Sequence, residues 1–151
     1  MRKNIPLFFG VAFTVFAIDQ LIKFYFVEGF SWESECISFE LHYNKGVAFS
    51  MFTFLGENLK WIQLLLISAL VVYIFKDGYL KKYLLPSSIL IGAAFSNLLD
   101  RFIHGGVVDY VYWHCGFDFA VFNFADMMID FAIVLFLLKA YILERCATKK
   151  S

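Results

Sequence analysis

Residues 97–126 read NLLDRFIHGGVVDYVYWHCGFDFAVFNFAD, and four aspartates, Asp100, Asp109, Asp118 and Asp126, fall within this stretch between two long apolar runs. A carboxylate at the margin of an apolar segment is costly unless it is paired, hydrated or used, so such residues point to a functional site. Two carboxylates at close range cannot both ionise comfortably, and they share one proton. Such a pair can draw a proton from water with one member and pass one to a leaving amine with the other, which hydrolyses a peptide bond without metal or covalent intermediate. By spacing alone the pair stays open: Asp109 with Asp126, Asp100 with Asp126, or Asp126 with Asp130. Asp100 stands beside Arg101 and is expected in a structural ion pair. Asp118, between Phe117 and Phe119, reads as a solvated turn residue, and Asp130 as a hydrogen-bonding partner of a neighbouring helix.

Other hydrolytic chemistries have less support. No HExxH is present, and His42, His104 and His114 lack the spacing of a ligand set. Neither a GxSxG nucleophile turn nor a Gly-rich phosphate loop occurs. The odd count of three cysteines, without CxxC spacing, indicates neither a disulfide framework nor a zinc site. Cys36 and Cys115 nevertheless fall in loops expected on one side of a membrane, where they could pair.

The elements that must hold these aspartates are membrane elements. Of 151 residues, 61% are hydrophobic and only 17% charged, and the mean hydropathy is +0.71. That lies well above soluble usage and indicates an integral membrane protein, mainly α-helical. The formal net charge is zero, which gives no reason to expect a nucleic-acid partner. Four spans are expected, at about residues 5–27, 59–75, 84–99 and 122–143, with the first uncleaved because no small-residue cleavage site follows its apolar run. Asp19 and Lys23, four apart, suit an internal helical ion pair. Between the first two spans, residues 28–58 form a small extracytoplasmic β region. There Ile37, Phe39, Leu41 and Tyr43 alternate with polar residues, and a turn at Asn44, Lys45 and Gly46 precedes weaker alternation through Val47, Phe49 and Met51, the pattern of a hairpin.

Pro86 falls in the first turn of the third span, where a missing N–H costs least. Gly92, Ala93, Ala94 and Ser96 make that helix suited to close packing. Asn97, Asp100 and Arg101 gather at its end, and Asn123 with Asp126 opens the fourth. Arg2, Lys3, Lys76, Lys81, Lys82, Arg145, Lys149 and Lys150 lie on one side of such a plan, against Lys45, Lys60 and Arg101 on the other, which makes both termini cytoplasmic. The β region and the aspartates then face outward together, with Tyr110, Tyr112 and Trp113 as interfacial anchors.

Five segments carry a family resemblance: DQLIK at 19–23, NKGVAFS at 44–50, GAAFSNLLDR at 92–101, GGVVDY at 105–110 and FNFAD at 122–126. In order and spacing they resemble the successive blocks of lipoprotein signal peptidase, also called signal peptidase II. The resemblance implies one membrane-embedded peptidase domain over residues 1–151, an aspartic endopeptidase of the bacterial cytoplasmic membrane. Its substrate would be a diacylglyceryl-modified prolipoprotein, cut just before the lipidated cysteine. The catalytic pair then falls on Asp109 and Asp126. Asp19, Lys23, Asn44, Gly46, Asn97, Asp100, Arg101 and Asn123 match positions that bind substrate or support the site. Neither metal nor organic cofactor is implied; the partners are the substrate and membrane lipid, and a monomer is expected. Lys45, Val47 and Ser50 depart from the usual second block, and Ala93 and Ser96 from the third, which bears on substrate preference rather than on the reaction. The alternatives from other classes are a small proton- or ion-coupled transporter and a non-catalytic membrane scaffold.

Overall fold

A computed structural model describes residues 4–46, 53–76, 79–117 and 119–148. In order these form helix α1 (Asn4–Val27), strands β1 (Trp32–Glu33) and β2 (Ile37–Asn44), a 3-10 turn at Thr53–Leu55, helices α2 (Asn58–Phe75), α3 (Tyr79–Lys82) and α4 (Leu84–Ile103), strand β3 (Val107–Trp113) and helix α5 (Phe124–Thr148). The architecture is mostly helical with a small three-stranded sheet. Among the described helices, α1 and α2 are long and apolar enough to cross a membrane. The long helices α4 and α5 carry more polar side chains.

Both prolines sit in first helical turns, Pro6 in α1 and Pro86 in α4, where the absent N–H has no acceptor to miss. The inward face of α1 is a stripe of Phe8, Ala12, Val15, Asp19, Lys23 and Phe26, spaced by threes and fours as one helix face requires. Its outward face exposes Phe9, Phe13, Leu21 and Phe24. Large apolar groups outside and a buried ion pair inside invert the pattern of a soluble helix and suit a lipid surround.

Helix α4 is the hub, packed against α1, α2 and α5. One core joins Phe8 to Ile67, Ile74, Leu80, Ile91 and Leu98. A second joins Val15, Ile89 and Ala93 to Ala125 and Ala132 of α5. Small residues let the helices approach: a Cβ on Gly92 would overlap the backbone carbonyl of Ala12. Helix α4 runs on to Ile103, beyond the expected end at residue 99, because Asn97, Asp100 and Arg101 all find partners there. Helix α5 starts at Phe124 instead of 122, because Phe122 bridges to Val111.

In the sheet β2 is central, antiparallel to β1 and β3, with Ile37 opposite Trp113 and Asn44 opposite Val107. The expected return strand through Val47, Phe49 and Met51 lies outside the described residues; the long-range partner of β2 is β3. Nor does the alternation along β2 yield one apolar buried face. Ser38 is buried, hydrogen-bonded with His114 Nε2 at 2.9 Å, while Tyr43 is exposed and packs its ring against His104. Cys36 and Cys115, flanking β2 and β3, form a disulfide across 79 residues of sequence, so the cysteines do supply a staple that their number and spacing did not indicate. Closing so long a loop stabilises the native state by about 2–4 kcal/mol.

Gly92→Ala should lower stability by about 1–3 kcal/mol through overpacking of the α1–α4 contact, read from thermal or denaturant unfolding in detergent. Gly10→Ala is the control, since nothing lies within 4 Å of its added Cβ; it should leave the transition in place or raise it.

Candidate active site

Where α1, α4, β3 and α5 meet, the structure buries a polar cluster whose groups are all satisfied. Lys23, 2% exposed, places Nζ 2.6 Å from Asp19 Oδ2 and 2.7 Å from Asp100 Oδ2, and donates to Asn97 Oδ1 at 2.8 Å. Asp19 also accepts from Ser96 Oγ (2.6 Å) and from the backbone N–H of Ala125 (2.8 Å), in the first turn of α5. A carboxylate there meets free N–H groups and the positive end of the helix dipole. Asp100 also accepts from Gln20 Nε2 (2.8 Å) and the Val108 N–H (3.1 Å). Among the described residues no buried side-chain nitrogen or oxygen is left without a hydrogen bond.

The expected Asp19–Lys23 pair therefore forms, but the Asp100–Arg101 pair does not. Neighbouring residues on a helix point about 100° apart; Asp100 turns to Lys23, and Arg101 turns the other way. Arg101 Nε donates to Gln63 Oε1 on α2 at 2.8 Å, and its terminal nitrogens donate to the backbone carbonyls of Asn44 and Gly46. Arg101 thus holds the turn after β2, which Asn44 Oδ1 tightens by accepting from the Gly46 N–H at 2.9 Å. Gly106 lets the start of β3 approach this turn, since a Cβ there would stand 3.0 Å from the Asn44 carbonyl oxygen.

Asp109 and Asp126 are held differently. Asp109, on β3 and 1% exposed, accepts from Asn123 Nδ2 at 2.7 Å and from Asn44 Nδ2 at 3.0 Å. Asp126 accepts from Asn97 Nδ2 at 2.9 Å and from the Asn123 N–H at 3.2 Å. Asn123 in return takes the Asp126 N–H on its Oδ1 at 2.9 Å. That reciprocal exchange is a capping box with aspartate in the acidic position, and it fixes the start of α5. The Asn123 amide also reaches Asn97 Oδ1 (3.1 Å) and the Val108 carbonyl (3.2 Å), so one residue orients both carboxylates. Among the described residues neither Asp109 nor Asp126 makes an ion pair.

Burial is the main reason that the Asp109 carboxyl is pushed up to about 7; the Asp126 charge adds to it, while hydrogen bonds from Asn44 and Asn123 and the charge of Lys23 oppose it. Both carboxylates line a cavity of about 670 Å³. Its lining includes Leu59, Ile62, Gln63 and Leu66 of α2, Asp126, Met127, Ile129 and Asp130 of α5, and residues 119–122 between β3 and α5.

Several expected roles change. Tyr110 is buried, stacked on Phe26 with ring centroids 4.2 Å apart, and its hydroxyl accepts the Phe124 N–H at 3.0 Å; it braces α5 instead of anchoring at an interface. Asp130, expected to bond a neighbouring helix, lines the cavity with no hydrogen bond or ion pair among the described residues. Asp118 lies outside them. Sequence reasoning passed over Gln20 and Gln63, which now hold Asp100 and Arg101. The available signal was a glutamine inside an apolar helix, where a polar side chain needs a partner.

The class that this fold and site define is a membrane-embedded enzyme. A bacterial membrane enzyme solved by the in meso method at 2.3 Å superposes with a TM-score of 0.75 and 25% identity, over 99% of this chain and 92% of that one. Residues 11–142 match the family described as signal peptidase (SPase) II. The lipoprotein signal peptidase of Sulfurovum sp. (strain NBC37-1) is 54% identical over 139 residues, 92% of this chain and 95% of that one. The lipoprotein signal peptidase of Helicobacter pylori (strain ATCC 700392 / 26695) is 47% identical over 149 residues, 98% of this chain and 95% of the other. The chain belongs to the signal peptidase II family, and is a peptidase.

Lys23→Met should leave Asp19 and Asp100 buried without their cation and cost about 3–5 kcal/mol. Denaturant unfolding in detergent checks this, with the Glu57–Lys60 pair as comparison. Glu57 is 75% exposed, and Lys60→Met should leave the unfolding transition nearly where it was, because solvent screens that pair.

Proposed function

We propose that this protein removes the signal peptide from diacylglyceryl-modified prolipoproteins, with Asp109 and Asp126 as its catalytic pair. One observation carries the reading: Asp109 and Asp126, held only by amides and N–H groups, both open on the cavity and share Asn123 as a partner, while Lys23 is committed to Asp19 and Asp100. An amide donor orients a carboxylate without neutralising it, so burial and mutual repulsion favour a single shared proton. The ionised member takes a proton from water as the water oxygen bonds to the scissile carbonyl carbon. The protonated member polarises the carbonyl oxygen. The C–N bond then breaks, the leaving nitrogen takes a proton, and the pair returns to its singly protonated state.

In this reading α1, α2, α4 and α5 all cross the bacterial cytoplasmic membrane, the termini are cytoplasmic, and the sheet and carboxylates lie at the outer face. The distribution of lysine and arginine supports that orientation. The substrate's acyl chains stay in lipid, so its scissile bond arrives at the depth of the cavity, and its signal segment enters between α2 and α5. Asn44, Gly46, Asn97, Arg101 and Asn123 set the carboxylates and the turn beside them, and Asp19, Lys23 and Asp100 brace the helices from behind. The whole chain serves as one peptidase domain, monomeric and in contact with lipid.

Asp109→Asn and Asp126→Asn, each nearly isosteric, should retain folding and precursor binding and lose cleavage by about 10³-fold or more, given the size of general acid–base effects. The assay is purified protein in lipid with a diacylglyceryl precursor and an unlipidated control. Parental rates in either variant would remove that residue from the reaction.

A second outcome concerns pH. The Asp109 proton persists up to about pH 7, so kcat/KM should fall as pH rises through that value and the shared proton is lost. Asn44 donates to the ionised carboxylate and holds its pKa down. Asn44→Ala should therefore move the alkaline limb to higher pH, and a limb that stays in place would show that it reports another group.

A further inference from the structure

Asp130 lies four residues beyond Asp126 on α5, on the wall of the same cavity. At 1.5 Å per residue the two are about 6 Å apart along the helix axis, one turn deeper into the apolar part of the molecule. Its neighbours on the cavity wall include Met127 and Ile129, and Leu66 lies on the α2 wall. The residue is exposed, contributes to the cavity lining and, among the described residues, has neither hydrogen bond nor ion pair. That contrasts with every acid around Lys23, where each carboxylate is saturated. A carboxylate left open in an apolar groove is retained at a cost unless something that enters the groove meets it.

We propose that Asp130 is a specificity residue, which accepts a hydrogen bond from a hydroxyl side chain of the signal segment shortly before the cleaved bond. The inference rests on the peptidase reading above and deepens it. With the scissile bond at Asp109 and Asp126, a segment running down the groove covers about 6 Å in roughly two residues if extended and roughly four if helical. The hydroxyl therefore belongs two to four residues before the cut. An aliphatic side chain in its place leaves the carboxylate facing apolar atoms and strips its water, which penalises that precursor.

The test compares lipidated precursors that differ only by Thr or Val, nearly equal in shape, at the second, third or fourth residue before the cleaved bond. The full-length enzyme, reconstituted in lipid, is assayed alongside Asp130→Ala and Asp130→Asn. The parental enzyme should favour Thr at one of these positions by about tenfold in kcat/KM, as expected of one hydrogen bond to a charged acceptor. In Asp130→Ala the ratio should collapse to about one, with Asp130→Asn in between. A general loss of fold or rate moves both precursors together and leaves the ratio alone, so it does not mimic this result. Equal cleavage of Thr and Val precursors by the parental enzyme, or an unchanged ratio in Asp130→Ala, overturns the assignment while the peptidase reading stands. Failure of the parental enzyme to cut any lipidated precursor overturns both.

Discussion

The placement of one buried cation governs this structure. Lys23 bridges Asp19 of its own helix and Asp100 of α4, and those two carboxylates in turn hold the first turn of α5 and the start of β3 through Ala125 and Val108. Four elements, α1, α4, β3 and α5, are thereby fixed to one another by charged hydrogen bonds in a region where water is scarce. Apolar packing alone would set their spacing loosely, because helices in lipid gain little from excluding water and depend on close contact and polar interactions for their registry. The Gly92–Ala12 contact supplies the close approach, and Lys23 fixes how far each helix slides along the next.

Committing the lysine to Asp19 and Asp100 also determines what the other two acids can do. Had Lys23 paired with Asp109 or Asp126, that carboxylate would stay ionised at all relevant pH and be a poor proton carrier. The cluster instead surrounds Asp109 and Asp126 with asparagines. Asn44, Asn97 and Asn123 donate hydrogen bonds and fix geometry without adding a counter-charge. The other nearby cation, Arg101, is turned away to Gln63 and the carbonyls of the β2 turn, where it positions Asn44 instead of neutralising Asp109. The division between cation-held and amide-held acids is the physical ground on which the proposed catalytic pair is told apart from the structural carboxylates of the same cluster.

Much of this was legible in the sequence where the controlling distance is a helical turn. Asp19 with Lys23 follows from a spacing of four, Asp126 is placed in the first turn of the last helix, and the apolar runs mark the long helices to within a few residues. What spacing could not give are the contacts between elements. The second partner of Lys23 lies 77 positions away, so adjacency made Arg101 the obvious match for Asp100, although neighbouring residues on a helix diverge. The same limit hid the pairing of β2 with β3, since a strand's pattern names no partner, and the disulfide that follows from it. Once Ile37 stands opposite Trp113, Cys36 and Cys115 are carried to the same end of the ladder. Tyr110 looked like an anchor because aromatic residues at an interface and in a brace have the same composition. Only the Phe26 ring and the Phe124 N–H distinguish them.

The proposed catalytic pair is split between two kinds of element, and that imposes a constraint of its own. Asp126 belongs to a helix whose N-terminal half packs on α1 and α4, whereas Asp109 belongs to a strand of a small sheet that could shift as a unit. Hydrogen-bond geometry tolerates only a few tenths of an ångström, so the sheet must be tied to the bundle more tightly than its size would ensure. Three ties do this from different directions: Arg101 at one end of the β2–β3 ladder, Asp100 on the Val108 N–H, and Tyr110 wedged between Phe26 and α5; the disulfide at the other end of the ladder locks the two strands to each other. Asn123 closes the arrangement by capping α5 with one side-chain atom and holding Asp109 with the other. A displacement of the strand must then break the helix cap as well, and the separation of the two carboxylates is set by one residue's covalent geometry instead of by the balance of many weak contacts.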